Sequence, residues 1–240
     1  MPASPATPSR SDRRARSSER AASRRRLWLE FVNTDPAPSS LRGDLLRDFG
    51  SLLRWLVDAR VIDVDRAGGL SRRALLQPAA ATATLVDARR VRAALRALAE
   101  RGATSPKTRD DAIGEINRVL GRSAGTRRVD LLEAGRYVRV FVPTGDAFAG
   151  LMIPIVESAA DSLVLDELDR VRRCADPRCP RVFLDTSRNG ARRWCDMGTC
   201  GNRAKAARHR ARHVEPTREG TRSTADAPGI DRRSTARGGA

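Results

Sequence analysis

The sequence predicts an α+β protein: a mainly helical N-terminal domain carrying one β-hairpin, followed by a small module stapled by four cysteines. Three observations predict it. Apolar residues recur at helical spacing in four stretches between Leu45 and Arg170. One stretch, Val129 to Val142, is instead rich in β-formers on either side of Ala134-Gly135. All four cysteines of the 240-residue chain stand as Cys174-x4-Cys179 and Cys195-x4-Cys200, with fifteen residues between the pairs.

In order, residues Met1 to Arg26 are Ser, Pro, Ala and Arg without an apolar period, and are expected to be a disordered basic tail. Eight arginines there are placed to touch phosphates or simply to be solvated. Folded structure begins at Leu27-Trp28-Leu29-Glu30-Phe31-Val32-Asn33-Thr34, whose apolar density suits a buried strand or the first turn of a helix, ended by Asp35-Pro36. Asn33 and Thr34, with Asp35, are candidates to face a ligand pocket; turn or cap chemistry explains them as well.

Leu45 to Ala59 places Leu45, Phe49, Leu52, Leu53 and Leu56 on one helical face, with Trp55 at its edge. A second helix is expected from about Ala80 to Glu100, with Leu85, Ala88, Val91, Leu95 and Leu98 inward and Arg89, Arg90, Arg92 and Arg96 largely outward. Gly102 would stop it. A shorter helix around Asp110 to Leu120 ends at Gly121, and the hairpin pairs Val129–Glu133 with Arg136–Val142. Helical spacing returns over Gly150 to Arg170, with Pro154 tolerable in a first turn. That helix runs into Arg172-Arg173-Cys174 without a flexible linker, so the cysteine module is expected to couple rigidly to the domain before it.

Two short cysteine pairs across a spacer of this length match a four-thiolate zinc site, because each Cys-x4-Cys loop supplies two adjacent corners of a tetrahedron. Cys174, Cys179, Cys195 and Cys200 are thus the expected ligands of one structural Zn2+. Four cysteines also permit three disulfide pairings, but nothing else in the chain looks secreted. The spacer Pro180 to Trp194 reads as a hairpin, with Phe183 and Trp194 as the apolar plug and Asp185, Ser187 and Asn189 as turn formers around Gly190. Cys200 then opens a helix, an arrangement similar to a treble-clef zinc finger.

Charge separates the two regions. Arg170 to His213 holds 13 Lys/Arg against 3 Asp/Glu, whereas Leu27 to Asp169 holds 20 of each. The overall formal charge of +17 is almost all arginine and reflects codon bias as readily as selection, so its uneven placement is the informative part. A small basic module beside a neutral domain reads as a nucleic-acid-binding attachment. On its last helix Ala204, Ala207 and Ala211 form a narrow stripe suited to lie on the hairpin. Lys205, Arg208 and Arg212 share a neighbouring face, and Arg203 and Arg210 flank the other side. With Arg192 and Arg193 these are the candidate DNA contacts; Asn202 and Arg203 are also placed to brace the zinc site. His209 and His213 have i, i+4 spacing but no carboxylate close by in sequence to complete a second metal site.

Cys200-Gly201-Asn202-Arg203, preceded by Arg192-Arg193-Trp194-Cys195 and followed by Lys205, resembles the CGNR zinc finger family. The LEFVNT stretch and the helices after it resemble the ABATE domain that accompanies this finger. Together they give an outline of a basic tail over 1–26, an ABATE-like domain over 27–169, the finger over 170–213 and a disordered tail over 214–240. The resemblance implies a predicted bacterial transcription regulator, described as stress-induced, whose finger binds duplex DNA. The N-terminal domain would then sense a small-molecule effector or self-associate as a homodimer. An RNA- or ribosome-associated module is the alternative, weakened because the finger's aromatics are expected in its core. No enzyme is expected: four thiolates leave zinc no open position, and no phosphate-cradling glycine motif occurs. With no apolar run long enough to span a bilayer and no signal peptide, the protein is expected in the cytoplasm, at the nucleoid, with no membrane partner.

Overall fold

The computed structural model describes residues 26–35, 43–100, 102, 104–122, 125–132, 136–144 and 148–213. Both terminal tails and the Ala134-Gly135 turn, read above from sequence, lie outside the described residues.

A short helix α1 over residues 26–32 buries Trp28, Phe31 and Val32 almost completely. Helices α2 (Phe49–Asp58), α3 (Val64–Leu76), α4 (Pro78–Ala99) and α5 (Pro106–Arg122) follow. Strands β1 (Gly125–Leu132) and β2 (Arg136–Pro143) then pair antiparallel, Gly125 opposite Pro143 and Leu132 opposite Arg136. Next come α6 (Ile153–Val164) and a single tight turn Glu167–Arg170. Strands β3 (Val171–Arg173) and β4 (Val182–Leu184) form a second antiparallel pair, and α7 (Asn202–His213) closes the described chain. Among the described residues no helix is long and apolar enough to cross a membrane.

One apolar core is shared by α1, α2, α4, α5 and α6, and includes Leu52, Leu56, Val91, Leu95, Ile116, Ile155 and Val156. The inward residues expected on α4 are all buried. Trp28 seats α1 against α6: its backbone N–H donates to Ser158 Oγ at 3.3 Å and its indole N–H to Ser162 Oγ at 3.1 Å. A buried indole needs such a partner, since its single donor would otherwise be stranded.

Four expectations are corrected, and one helix was not anticipated. Leu45 is 55% exposed while its neighbour Leu46 is fully buried. The helix starts only at Phe49, because Asp48 accepts the Ser51 N–H at 2.6 Å and caps it, so the residues before it do not obey helical spacing. Helix α3 was not legible: its sequence VDRAGGLSRRALL buries only Leu70 and leaves Leu75 and Leu76 83% exposed, so its apolar residues do not mark an inner face. Gly121 lies inside α5 rather than ending it. The helix expected to reach Arg170 stops at Val164, where Asp166 takes a left-handed conformation (φ 52°). Finally, Arg92 points inward and is 5% exposed. Its guanidinium grips Asp44 with two bonds of 2.6 and 2.7 Å and donates to Thr34 Oγ1 at 3.1 Å. Arginine tolerates burial where a carboxylate matches its fork, and Asp44, far away in sequence, supplies that match.

The chain divides into two compact units after Ala204. The helical domain and the cysteine module up to that point belong to one unit, and the segment from Lys205 is described by itself below.

Candidate metal centre and its basic helix

The two cysteine pairs meet. The four Sγ atoms lie within 4.8 Å of one another, with Cys179–Cys195 and Cys195–Cys200 at 3.7 Å. A disulfide needs ~2.05 Å between sulfurs, so none is formed and all four are thiols. Four sulfurs ~2.3 Å from one zinc ion stand about 3.8 Å apart along the edges of a tetrahedron. The observed spacing fits that ion with little movement, and Cys174, Cys179, Cys195 and Cys200 would hold it. Such a zinc is structural: with four protein ligands it staples the fold.

Local chemistry supports the fit. Burial pushes the Cys179 and Cys195 thiols up. Burial also opposes ionisation of Cys174, but the backbone N–H groups of Cys195 and Asp176 hydrogen-bond its sulfur and carry it below the ordinary thiol value. Four thiolates this close cannot coexist bare; a dication in their midst is what would permit them.

Chain geometry explains why the pairs converge. Strands β3 and β4 pair Arg173 with Val182, and the Cys174 N–H donates to Arg181 O at 2.9 Å, which closes the first cysteine loop. Asp185 then turns the chain. Its side chain has no exposed surface and accepts from Ser187 N at 2.9 Å, Ser187 Oγ at 2.5 Å and Arg192 N at 2.9 Å. Those bonds, led by the Ser187 hydroxyl, hold its carboxyl below the usual carboxylate range. Gly190 takes φ 60° in this turn, a conformation that a side chain would strain. The Ala175 N–H donates to Arg193 O at 2.8 Å and so ties the returning chain to the first cysteine loop. Phe183 is buried against the cysteines and Trp194 is half-buried beside them.

Two of the expected DNA-contacting arginines, Arg192 and Arg203, work inside the finger. Arg192 donates to Trp194 O at 2.9 Å and to Cys195 O, and its guanidinium lies 4.8 Å from the centre of the Phe183 ring. Arg203 reaches back to the metal centre, with Nη2 3.5 Å from Cys200 Sγ and Nε 3.2 Å from Asp176 Oδ2. Asp176 is 6% exposed, and its other oxygen accepts the Arg178 N–H at 3.0 Å. A guanidinium beside a thiolate cluster offsets its negative charge, and the buried aspartate holds that guanidinium in place. Asn202 braces the last ligand loop through Gly198 O at 3.1 Å. Arg193 is exposed, stacked 5.3 Å from the Trp194 ring.

From Lys205 to His213 the described chain is helical. Lys205, Arg208, Arg210 and Arg212 are all exposed, and so are Ala207 and Ala211, so the expected alanine stripe is not buried. Its other residues leave no stretch of the helix apolar. No acid stands within the helix, and its cations lie on two faces, Lys205, Arg208 and Arg212 on one and Arg210 roughly opposite.

Residues 170–213 match the model of the CGNR zinc finger, and residues 25–166, more than half of the chain, match ABATE, described as "Putative stress-induced transcription regulator". The chain belongs to the ABATE family. A search of curated proteins found no match. Both matched types are regulatory and zinc-finger families rather than enzymatic ones.

Within the ABATE domain, the LEFVNT residues have internal partners. Thr34 is 2% exposed, donates to Phe31 O at 2.7 Å and accepts from Arg92. Asn33 faces the finger: its Nδ2 donates to Val182 O at 2.9 Å, and its Oδ1 accepts the Val182 N–H at 2.9 Å. A ligand at either residue would have to displace these bonds. Arg96 spans the same junction, donating to Val32 O at 2.9 Å and to Pro180 O at 3.3 Å while pairing with Asp35 and Glu100. Apart from Thr34 to Phe31 O and Arg96 to Glu100, these partnerships have no local sequence signal, because they join residues tens of positions apart.

Proposed function

We propose that this ABATE protein is a zinc-dependent DNA-binding transcription regulator in which α7 contacts duplex DNA. The observation that carries this reading is the exposed row Lys205, Arg208 and Arg212, with Arg210 exposed on the other side, on the helix that Cys200 and Gly201 lead into. A guanidinium forks onto phosphate oxygens or onto the O6/N7 edge of guanine, and a lone helix of this width fits a major groove. Arg193 is a further candidate contact; Arg192 and Arg203 are assigned to holding the finger. Zinc matters because it sets the loop from which the helix starts. The ABATE domain is assigned the regulatory half of the task, sensing a small molecule or bringing two copies together. The protein has no catalytic role in this reading, and acts at the nucleoid.

Selection from a random duplex library with zinc-loaded protein tests the reading. A reproducible motif that disappears on chelation of the zinc is expected, with binding that weakens steeply as salt rises, because neutralised phosphates release counterions. Arg208→Ala and Arg212→Ala should each weaken binding about tenfold with zinc content intact, in line with ~1–3 kcal/mol for a good contact. Normal DNA binding by both variants overturns the assignment of α7. A flat selection with salt-sensitive retention would identify a nonspecific polyanion binder instead, and would favour RNA.

A further inference from the structure

Strand β4 is three residues long and serves two cores. Val182 is 1% exposed and belongs to the apolar core of the ABATE domain, whereas Phe183 next to it packs on the cysteines. Alternation along a strand sends adjacent side chains to opposite faces, so one strand contributes to both. Its backbone is divided as well. Arg181 and Asp185 bond toward β3, through Cys174 N to Arg181 O and Asp185 N to Arg170 O at 2.8 Å. The N–H and C=O of Val182 bond to Asn33 instead.

A carboxamide carries one donor side and one acceptor side, like a peptide unit, so Asn33 stands where a third strand would stand. Without it, two backbone groups of a buried residue would lack a partner. Three residues before Val182 lies Cys179, and between them Pro180 O receives Arg96. On the paired strand Arg173 precedes Cys174 and approaches Glu100 at 4.0 Å. Both ends of the first cysteine loop are thus held by side chains of the ABATE domain.

We infer that Asn33 is a latch that couples zinc binding to the stability of the ABATE core, so that the ABATE domain raises the zinc affinity of the finger. By reciprocity, if the ABATE core strengthens zinc binding, zinc strengthens the core by the same factor. This does not depend on what the finger contacts, and it assigns Asn33 to positioning the metal loop rather than to a ligand pocket.

The test uses the full chain. Zinc affinity is measured by competition with a chromophoric chelator for the native protein and for Asn33→Ala. Unfolding is followed in both with and without zinc. Trp28 and Trp55 report the ABATE core, and Trp194 is replaced by Phe in all samples so that the finger is silent. The native protein should show a zinc-dependent rise in the core transition. Asn33→Ala should bind zinc about tenfold more weakly and lose most of that rise. A side chain that only contributed stability would lower the transition equally with and without zinc; that result, or an unchanged zinc affinity, overturns the inference. Should Asn33→Ala fail to fold, amide exchange on the native chain decides. Stripping the zinc should speed exchange in helix α1 as well as in β4, and exchange confined to the finger would sink the latch.

Discussion

Arginines of the ABATE domain and arginines of the finger helix are chemically the same and do opposite work. On α4, Arg89, Arg92 and Arg96 turn toward the chain segment before α2. Arg89 donates to Leu46 O at 2.7 Å, Arg92 clamps Asp44, and Arg96 bonds Val32 O. A related cluster on α5 has Arg118 bonded to Glu115 and Asp87, with Glu115 only 7% exposed. On α7 Lys205, Arg208, Arg210 and Arg212 have no acid on their own helix and stay in solvent, whereas Arg203 turns back to Asp176. What decides between an internal clamp and an outward charge is whether the fold brings a carboxylate or a carbonyl to the guanidinium. The same contrast holds for cohesion. The ABATE domain rests on a broad apolar core, and the finger core is one phenylalanine, a half-buried tryptophan and four thiols.

Loss of zinc should separate the two regions most. Cys179→Ser is expected to abolish zinc binding, measured by elemental analysis, and to unfold the β3–β4 ribbon, since structural zinc in small fingers contributes ~10–16 kcal/mol. The helices of the ABATE domain should persist, with their far-ultraviolet dichroism largely retained. A finger that keeps slow amide exchange without zinc would end the contrast in cohesion.

Next in size is the internal clamp. Arg92→Ala removes one partner of a mostly buried pair and strands the other, so urea unfolding should show a loss of about 3 kcal/mol. Arg208→Ala should change stability by no more than ~0.5 kcal/mol, as exposed substitutions do. Equal effects of the two would show that inward and outward arginines do not differ energetically.

A smaller effect is expected with pH. The Arg92 hydrogen bond, foremost, holds the Asp44 carboxyl below the usual carboxylate range. A folded value below the unfolded one, which is about 3.9, means that the stabilisation is complete above the unfolded value and fades as pH falls through the folded one. Thermal midpoints of the ABATE transition should therefore be level from about pH 7 to 5 and decline below about 4. Asp44→Asn should start lower and decline less. An identical acid slope in both proteins would remove Asp44 from the account.

The metal centre was legible because its signal is local. Two Cys-x4-Cys loops and a turn around Gly190 bring the ligands together with help from residues within the same stretch, such as Asp185 and Ser187. Helices with a clear apolar face were legible too, and α4 buries the residues its spacing assigned inward. Helix α3 escaped because it exposes most of its apolar residues, and the end of α6 was overrun because the left-handed Asp166 leaves no periodic mark. Arg192 and Arg203 illustrate the limit of reading charge alone. Their partners are a carbonyl, a ring, a sulfur and the buried Asp176, and spacing does not reveal which basic residues will find such groups.

By itself, then, the sequence determined that this chain has a helical domain with a hairpin, a four-cysteine metal site and a basic last helix. Period, spacing and composition are properties of neighbouring residues. Tertiary structure decided which arginines turn inward, that Asp176 and Arg203 brace the metal centre, and that Asn33 bonds a strand 149 positions away. Those choices depend on which polar groups become buried, and a buried donor or acceptor takes the partner that the fold delivers to it, however distant in the chain.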